Sequence, residues 1–90
     1  RFGNCILNLA IDSWAGTLAG WPGLRMDHPK AMPLALCRLY GQIPAKAVGL
    51  LPGSQGCLEL AMNRASAATF LGLQPGNLVR LAPGGKGGET

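Results

Sequence analysis

The chain has 90 residues, enough for one domain with a modest core, because a chain of this size buries only about 60% of its unfolded surface. Its residues are 48% hydrophobic and 13% charged, a balance that excludes an intrinsically disordered protein. The net charge is +4, but the basic residues neither form a run nor alternate with aromatic residues, so no nucleic-acid partner is expected. No apolar stretch approaches the length of a membrane span and no signal peptide is visible, so no membrane partner is expected either.

The first half of the chain predicts three strands. Residues 5–11 alternate apolar positions and read as the first strand, and residues 32–40 and 47–52 read as the second and third. Between the first two strands, residues 12–31 look irregular and rich in Trp, Gly and Pro, with Ser13 placed to cap a short turn of helix over Trp14–Leu18.

The second half predicts two further strands and a helix. Residues 56–63 form the fourth strand, and Ser66 is expected to cap a short helix over residues 67–73, which Gly72 and the turn at Pro75-Gly76 terminate. Residues 77–82 form the fifth strand.

Short strands, one helix, fourteen Gly and seven Pro together predict a mainly β fold, a small antiparallel β-barrel with one short helix. Parallel βαβ units are not expected, because the chain leaves no room for crossover helices. The folded domain is predicted to span residues 1–82, and the tail 83–90 to be flexible because it has too few apolar residues to pack. Since the chain starts at Arg1 rather than Met, it is expected to be a domain cut from a longer protein.

The three cysteines, Cys5, Cys37 and Cys57, are odd in number, lack CxxC spacing and lie in apolar segments. They are expected to be buried thiols in a reducing compartment, which favours a cytoplasmic protein. With one histidine and no ligand-like spacing, neither a metal nor another bound cofactor is expected.

Catalysis within these residues is poorly supported, so no catalytic residue is predicted. The four acidic residues are scattered, and Glu59 on the fourth strand is expected to be a solvent-facing charge. His28 is expected to be a surface residue, and no nucleophile elbow accompanies it.

Three residues favour a binding site instead. The ring of Tyr40, beside Gly41, can lie over a flat heterocycle or pack on the rim of the core. The Asn4 amide can read a nucleobase edge or make an Asx turn that starts the first strand. Ser54 is a turn residue by default, although its hydroxyl can also hold a carboxylate.

Four phrases of the sequence resemble a known family in their order and spacing: RFGNCILNL, LCRLYGQIP, LLPGSQGCLELAMN and SAATFLGLQPG. They are similar to the C-terminal domain of the S-adenosyl-L-methionine (SAM) hydroxide adenosyltransferases, relatives of the fluorinase and chlorinase enzymes. The resemblance covers residues 1–82.

The resemblance implies an activity that this domain does not complete alone, the conversion of SAM and water to adenosine and L-methionine. SAM is then a substrate rather than a cofactor. The implied architecture is a small β-barrel after a larger α/β N-terminal domain, with the site where the barrel meets the N-terminal domain of a neighbouring subunit in a homotrimer. The groups that handle water or halide belong to that N-terminal domain.

Site residues follow from the resemblance by position. Asn4 matches the amide that reads the adenine edge, Tyr40 the stacking aromatic residue, and Ser54 the hydroxyl near the methionine carboxylate. The corner formed by Asn63, Arg64 and Ala65, where the fourth strand ends, matches backbone groups that complete adenine recognition.

The sequence departs from the family pattern at several positions. Gln55 stands where hydrolases usually have an aromatic residue and halogenases an Arg, which leaves the nucleophile open. Gln42 and Asn77 stand where Asp is usual, and residues 12–31 match poorly.

Two alternatives come from other functional classes. The phrase LGLQPG at residues 71–76 and the positive charge permit a stand-alone module that binds a peptide or single-stranded nucleic acid, although five aromatic residues are few for such a groove. Gln55 also permits a purely structural oligomerisation domain whose site has decayed.

Overall fold

The fold comes from a computed structural model, which describes residues 3–84; residues 85–90 of the predicted tail lie outside the described part. Residues 3–84 form seven strands and two α-helices. In chain order these are β1 (Cys5–Ala10), α1 (Ile11–Ala19), β2 (Leu24–His28), β3 (Met32–Pro33), β4 (Ala35–Leu36), a 3₁₀ turn (Tyr40–Gln42), β5 (Val48–Pro52), β6 (Cys57–Met62), α2 (Ala67–Leu71) and β7 (Arg80–Pro83).

The strands build a larger sheet in the order β1-β6-β5-β4 and a smaller one in the order β3-β2-β7. The mainly β class is therefore confirmed, but within residues 3–84 the two sheets do not close into the expected barrel. The antiparallel expectation fails for one pair, because β4 and β5 run parallel. Residues 37–47 connect them through a 3₁₀ turn, which takes the place of the crossover helix that usually joins parallel strands.

The segment 12–31, expected to be irregular, contains most of α1 and all of β2. Helix α1 follows β1 directly, and its N-cap residue Ala10 makes no side-chain capping bond, so Ser13 lies inside the helix rather than capping it. In β2 a single core residue, Met26, is flanked by Arg25 and Asp27, which form a salt bridge at 2.9 Å. The segment was expected to be irregular because it is rich in Trp, Gly and Pro, and two charges around a single buried residue leave little apolar alternation to indicate the strand.

Residues 32–40 do not form one strand. The smaller sheet takes Met32–Pro33, the larger sheet takes Ala35–Leu36, and the buried side chain of Leu34 lies at the switch between them. Pro33 cannot donate a ladder hydrogen bond, which confines it to a short edge strand. As a result Tyr40 lies in the 3₁₀ turn rather than at a strand end.

The main core is built by the inner face of the larger sheet together with both helices and β2. Leu50 and Leu60, at its centre on neighbouring strands, have no solvent exposure. The other buried members are Leu18, Met26, Leu34, Val48, Leu58, Met62, Ala67 and Leu71.

A second apolar cluster, the outer cluster, lies on the opposite face of the larger sheet. It consists of Cys37, Ile43, Leu51 and Ala61. Ile43 packs directly on Gly49, where an added Cβ would lie 2.7 Å from the Ile43 Cγ1 atom. Residues 37–47 therefore cover the β5 side of this face.

Helix α2 follows β6, and the residues predicted to begin and end it do so in the structure. The Ser66 hydroxyl accepts a hydrogen bond from the Thr69 amide at 3.0 Å, which makes Ser66 the N-cap as expected. Gly72 ends the helix in the left-handed conformation. Within residues 3–84, neither helix is long and apolar enough to cross a membrane.

Strand β7 runs to Pro83, and the amide of Gly84 donates a hydrogen bond to the carbonyl of Gly23 at 2.8 Å. The ordered backbone thus continues past the predicted end of the fifth strand, while Asn77–Val79 precede β7 rather than belonging to it.

Candidate functional site

A cavity of about 410 Å³ lies on the outer face of the larger sheet. Its floor is formed by three side chains that face one another in register across three strands, Ile6 of β1, Glu59 of β6 and Leu51 of β5. The full lining is Asn4, Ile6, Tyr40, Leu51, Gly53, Ser54, Gln55, Cys57 and Glu59.

Three separate segments supply the walls. Asn4 immediately precedes β1, and Tyr40 comes from the 3₁₀ turn in the parallel connection. Ser54 comes from the β5–β6 hairpin, which a hydrogen bond from the Gly53 amide to the Cys57 carbonyl closes at 2.8 Å. The structure thus brings these three predicted residues together.

Tyr40 packs against the outer cluster, as in one of the two arrangements considered for its ring, and it also lines the cavity. Its hydroxyl oxygen accepts a hydrogen bond from the Arg64 amide at 2.7 Å. The ring is consequently held at both its apolar body and its polar tip.

The corner at Asn63, Arg64 and Ala65 is a tight turn, with an isolated bridge between Met62 and Ala65 and Arg64 at a φ of 61°. The Asn63 side-chain amide donates to the Ile43 carbonyl at 3.2 Å. None of the three corner residues is part of the cavity lining. They connect to the site through Tyr40 and its supporting segment, since the Arg64 amide is bonded to the tyrosine hydroxyl.

Glu59 is the site residue that sequence reasoning missed. It was expected to be a solvent-facing charge, but it is half-buried in the cavity floor, where its Oε1 accepts a hydrogen bond from Asn4 Nδ2 at 3.1 Å. The Asn4 Oδ1 atom is buried and accepts no hydrogen bond from the rest of residues 3–84. Strand alternation places Glu59 on the same face of β6 as Cys57 and Ala61. A single charged residue among small and apolar residues is unusual, so this pattern could have indicated from the sequence that Glu59 belongs to a site.

At two positions where the sequence departs from the family pattern, a side-chain amide oxygen accepts hydrogen bonds from backbone amides. Gln42 Oε1 accepts from the amides of Arg38 and Leu39 at 2.9 and 3.1 Å, and Asn77 Oδ1 accepts from the Gln74 amide at 2.7 Å. Each of these bonds closes a turn over three or four residues.

The thiols are free, but only Cys37 is fully buried as predicted for all three. Cys57 is half-buried and lines the cavity. Cys5 is also half-buried, and burial raises the pKa of its thiol, which favours the neutral form. Among residues 3–84, no group of three His, Cys, Asp or Glu side chains is placed to hold a metal ion.

A family model described as the SAM hydroxide adenosyltransferase C-terminal domain matches residues 1–80. No curated protein matches the sequence significantly. A crystal structure of an uncharacterized conserved protein from Thermotoga maritima matches 91% of this chain with a TM-score of 0.80 and 21% sequence identity, a likeness that shows the fold alone. The match spans 32% of the Thermotoga maritima chain, so this chain corresponds to about a third of that protein's length.

Proposed function

Because this chain belongs to the family of SAM hydroxide adenosyltransferase C-terminal domains, we propose that its cavity binds the adenosine part of SAM. The observation that carries the proposal is the convergence of Asn4, Tyr40 and Ser54 on one cavity. These residues come from three segments far apart in the sequence, and the resemblance assigns each a different part of the same ligand.

The chemistry of the cavity suits a nucleoside. The Tyr40 ring offers a stacking surface, a contact that contributes about 1–3 kcal/mol per base. Asn4 provides an amide at the start of β1, and Ile6 and Leu51 give the floor an apolar surface. The volume of about 410 Å³ falls in the range of ordinary small-molecule sites, roughly 300–1,000 Å³.

The proposed reaction of the complete enzyme transfers the adenosyl group from the sulfonium sulfur to water. A carbon–oxygen bond forms, the carbon–sulfur bond breaks, its electron pair stays on the methionine sulfur, and one proton is released. Within residues 3–84, Glu59 is the only carboxylate that lines the cavity, and it already bonds to Asn4. The family resemblance assigns the groups that handle water to an N-terminal α/β domain, contributed by a neighbouring subunit of a homotrimer.

The free energies expected for the contacts in this cavity support a site that needs the second domain to bind its ligand firmly. Stacking contributes about 1–3 kcal/mol, and a neutral hydrogen bond about 1 kcal/mol. Association costs at least about 4 kcal/mol. We therefore expect the chain alone to bind adenosine at millimolar strength or more weakly, and to lack activity.

The alternative of a stand-alone nucleic-acid module gains no support from the aromatic residues. Trp14 and Trp21 pack edge-to-face on each other, with ring centroids 6.1 Å apart, and adjoin the main core. Within residues 3–84, Tyr40 is the only aromatic residue of the cavity lining, so no row of stacking platforms follows a groove there.

The replacement Ser54→Ala tests which end of SAM lies at the hairpin. If the Ser54 hydroxyl holds the methionine carboxylate, its loss should weaken SAM binding by about tenfold to a hundredfold, because a hydrogen bond to a charged group contributes about 1.5–3 kcal/mol. Adenosine binding should not change. Amide NMR titrations of the wild type and the variant with each ligand make the comparison.

If Ser54→Ala weakens the binding of SAM and of adenosine equally, the Ser54 hydroxyl does not hold the methionine carboxylate. Wild-type titrations with SAM and adenosine that leave every cavity residue unshifted would contradict the proposed function itself.

A further inference from the structure

We propose that Glu59 fixes the orientation of the Asn4 amide and thereby makes the cavity select a 6-amino purine over a 6-oxo purine. The inference rests on the proposed binding of adenosine and assigns the selectivity of that site to Glu59. Glu59 is a positioning residue here, since it acts on the base through Asn4.

The hydrogen bond between the two side chains determines which way the amide faces. An ionised carboxylate only accepts hydrogen bonds, so Asn4 has to turn its NH₂ group toward Glu59, as the 3.1 Å contact from Nδ2 to Oε1 shows. The reversed amide would place Oδ1, a second acceptor, against the carboxylate. Glu59 thus excludes one of the two amide orientations.

Glu59 is itself held in place on both sides. It pairs with Ile6 in the β1–β6 ladder, next to the end of β1 at which Asn4 lies. Its second oxygen, Oε2, lies against Gly53, 2.9 Å from the position that a Cβ would occupy there. A carboxylate confined between a strand neighbour and the hairpin can hold the amide before the ligand arrives.

The fixed amide leaves Oδ1 of Asn4 as the atom that still needs a hydrogen-bond donor. This atom is buried and accepts no hydrogen bond within residues 3–84. The proposal requires the base to displace the groups that cover Oδ1, so that the 6-amino group of adenine donates a hydrogen bond to it, whereas the 6-oxo group of hypoxanthine would bring a second acceptor toward it. Selection then follows, because leaving a buried polar group unpaired costs more than a hydrogen bond gains.

A different role for the same carboxylate has to be separated from this one. Glu59 carries a negative charge in the cavity lining, and SAM carries a positively charged sulfonium. A counter-charge role would strengthen SAM binding relative to adenosine, but it would treat neutral adenosine and neutral inosine alike.

The test compares adenosine, inosine and SAM as ligands of the wild-type 90-residue chain and of Glu59→Gln, by amide NMR titration. We expect the wild type to prefer adenosine over inosine by about tenfold or more. In Glu59→Gln the ratio should fall to within about threefold, because a glutamine amide both donates and accepts and so permits either orientation of Asn4. The ratio is a readout that a merely structural role of Glu59 would not change.

Two further variants complete the design. Glu59→Leu cannot bond to Asn4 at all and should give the same loss of selectivity, which keeps the test informative if one substitution prevents folding. Asp12→Asn also converts an acid to an amide, but on exposed α1, and should keep the wild-type ratio. Well-dispersed native spectra are required of each variant.

An unchanged adenosine-to-inosine ratio in the folded Glu59 variants would overturn the inference while leaving adenosine binding intact. A selective loss of SAM binding at an unchanged ratio would also overturn it, in favour of the counter-charge role. If adenosine shifts no amide signal of the wild-type chain, both the proposed function and this inference are contradicted. The wild-type titration identifies this outcome without any variant.

Discussion

At the scale of single residues, two hydrogen bonds fix polar side chains of the cavity lining. The Tyr40 hydroxyl is held by the Arg64 amide at 2.7 Å, and the Asn4 amide is held by Glu59 at 3.1 Å. Groups ordered in advance lose less conformational freedom on binding, so a small number of contacts can still support a specific site.

Replacements of Tyr40 separate its ring from its hydroxyl. Tyr40→Phe should lower the free energy of unfolding by about 1 kcal/mol, because the Arg64 amide loses its partner, while adenosine binding changes little. Tyr40→Leu should weaken adenosine binding by about 1–3 kcal/mol, since the stacking surface is lost. Urea denaturation and amide NMR titration measure the two effects. Equal adenosine binding by the Phe and Leu variants would exclude stacking on this ring.

The residues of the site were predictable to different degrees. Asn4, Tyr40 and Ser54 followed from family phrases, and the structure places all three in the cavity lining. Glu59 could not be inferred in the same way, because its importance depends on Asn4, which is 55 positions away in the chain. A contact of that range comes from strand pairing rather than from local sequence.

At the scale of elements, the parallel connection over residues 37–47 is the part that shapes the site. It carries Tyr40 and is anchored by Ile43, which packs on Gly49 of β5, and by the bond from Asn63 to the Ile43 carbonyl. The cavity exists because this segment covers one side of the outer face and leaves the β1 side open, where Ile6 remains 63% exposed.

The Ile43–Gly49 contact gives a prediction about this segment. Gly49→Ala should lower the free energy of unfolding by about 1–3 kcal/mol, because its Cβ would lie 2.7 Å from Ile43 Cγ1. Gly41→Ala is the matched control and should stay within about 0.5 kcal/mol of the wild type, as nothing lies within 4 Å of its Cβ.

Urea denaturation of Gly49→Ala, Ile43→Ala and the double variant completes the measurement. The double variant should lose less stability than the sum of the single variants, since removing the isoleucine side chain removes the clash. Full additivity would mean that the two positions do not interact as described.

The elements that sequence patterns predicted best are those with regular alternation and a buried face. Strands expected at residues 5–11, 47–52 and 56–63 agree with β1, β5 and β6 to within one residue at each end. Strand β2 was missed because charges surround its one buried residue, Met26. Residues 32–40 were wrongly predicted as one strand, because their apolar residues belong to two different sheets. Local hydrophobic periodicity does not show where a chain passes from one sheet to another.

At the scale of the whole molecule, this chain is one domain of a family defined as C-terminal domains, and it spans about a third of a structurally similar protein. On the proposal made above, the cavity of this domain binds the nucleoside, while the chemistry is assigned to a second domain. The proposed division agrees with the sequence-based expectation of a binding site without a catalytic residue.

The measurement that tests this view most directly is an amide NMR titration of the chain with adenosine into the millimolar range, with uridine as the control ligand. We expect shifts at Asn4, Tyr40 and Glu59, and at Arg64 through its bond to Tyr40, with uridine leaving them unchanged. A well-dispersed spectrum in which these residues do not respond to adenosine, or respond equally to uridine, would contradict an adenine site in this domain.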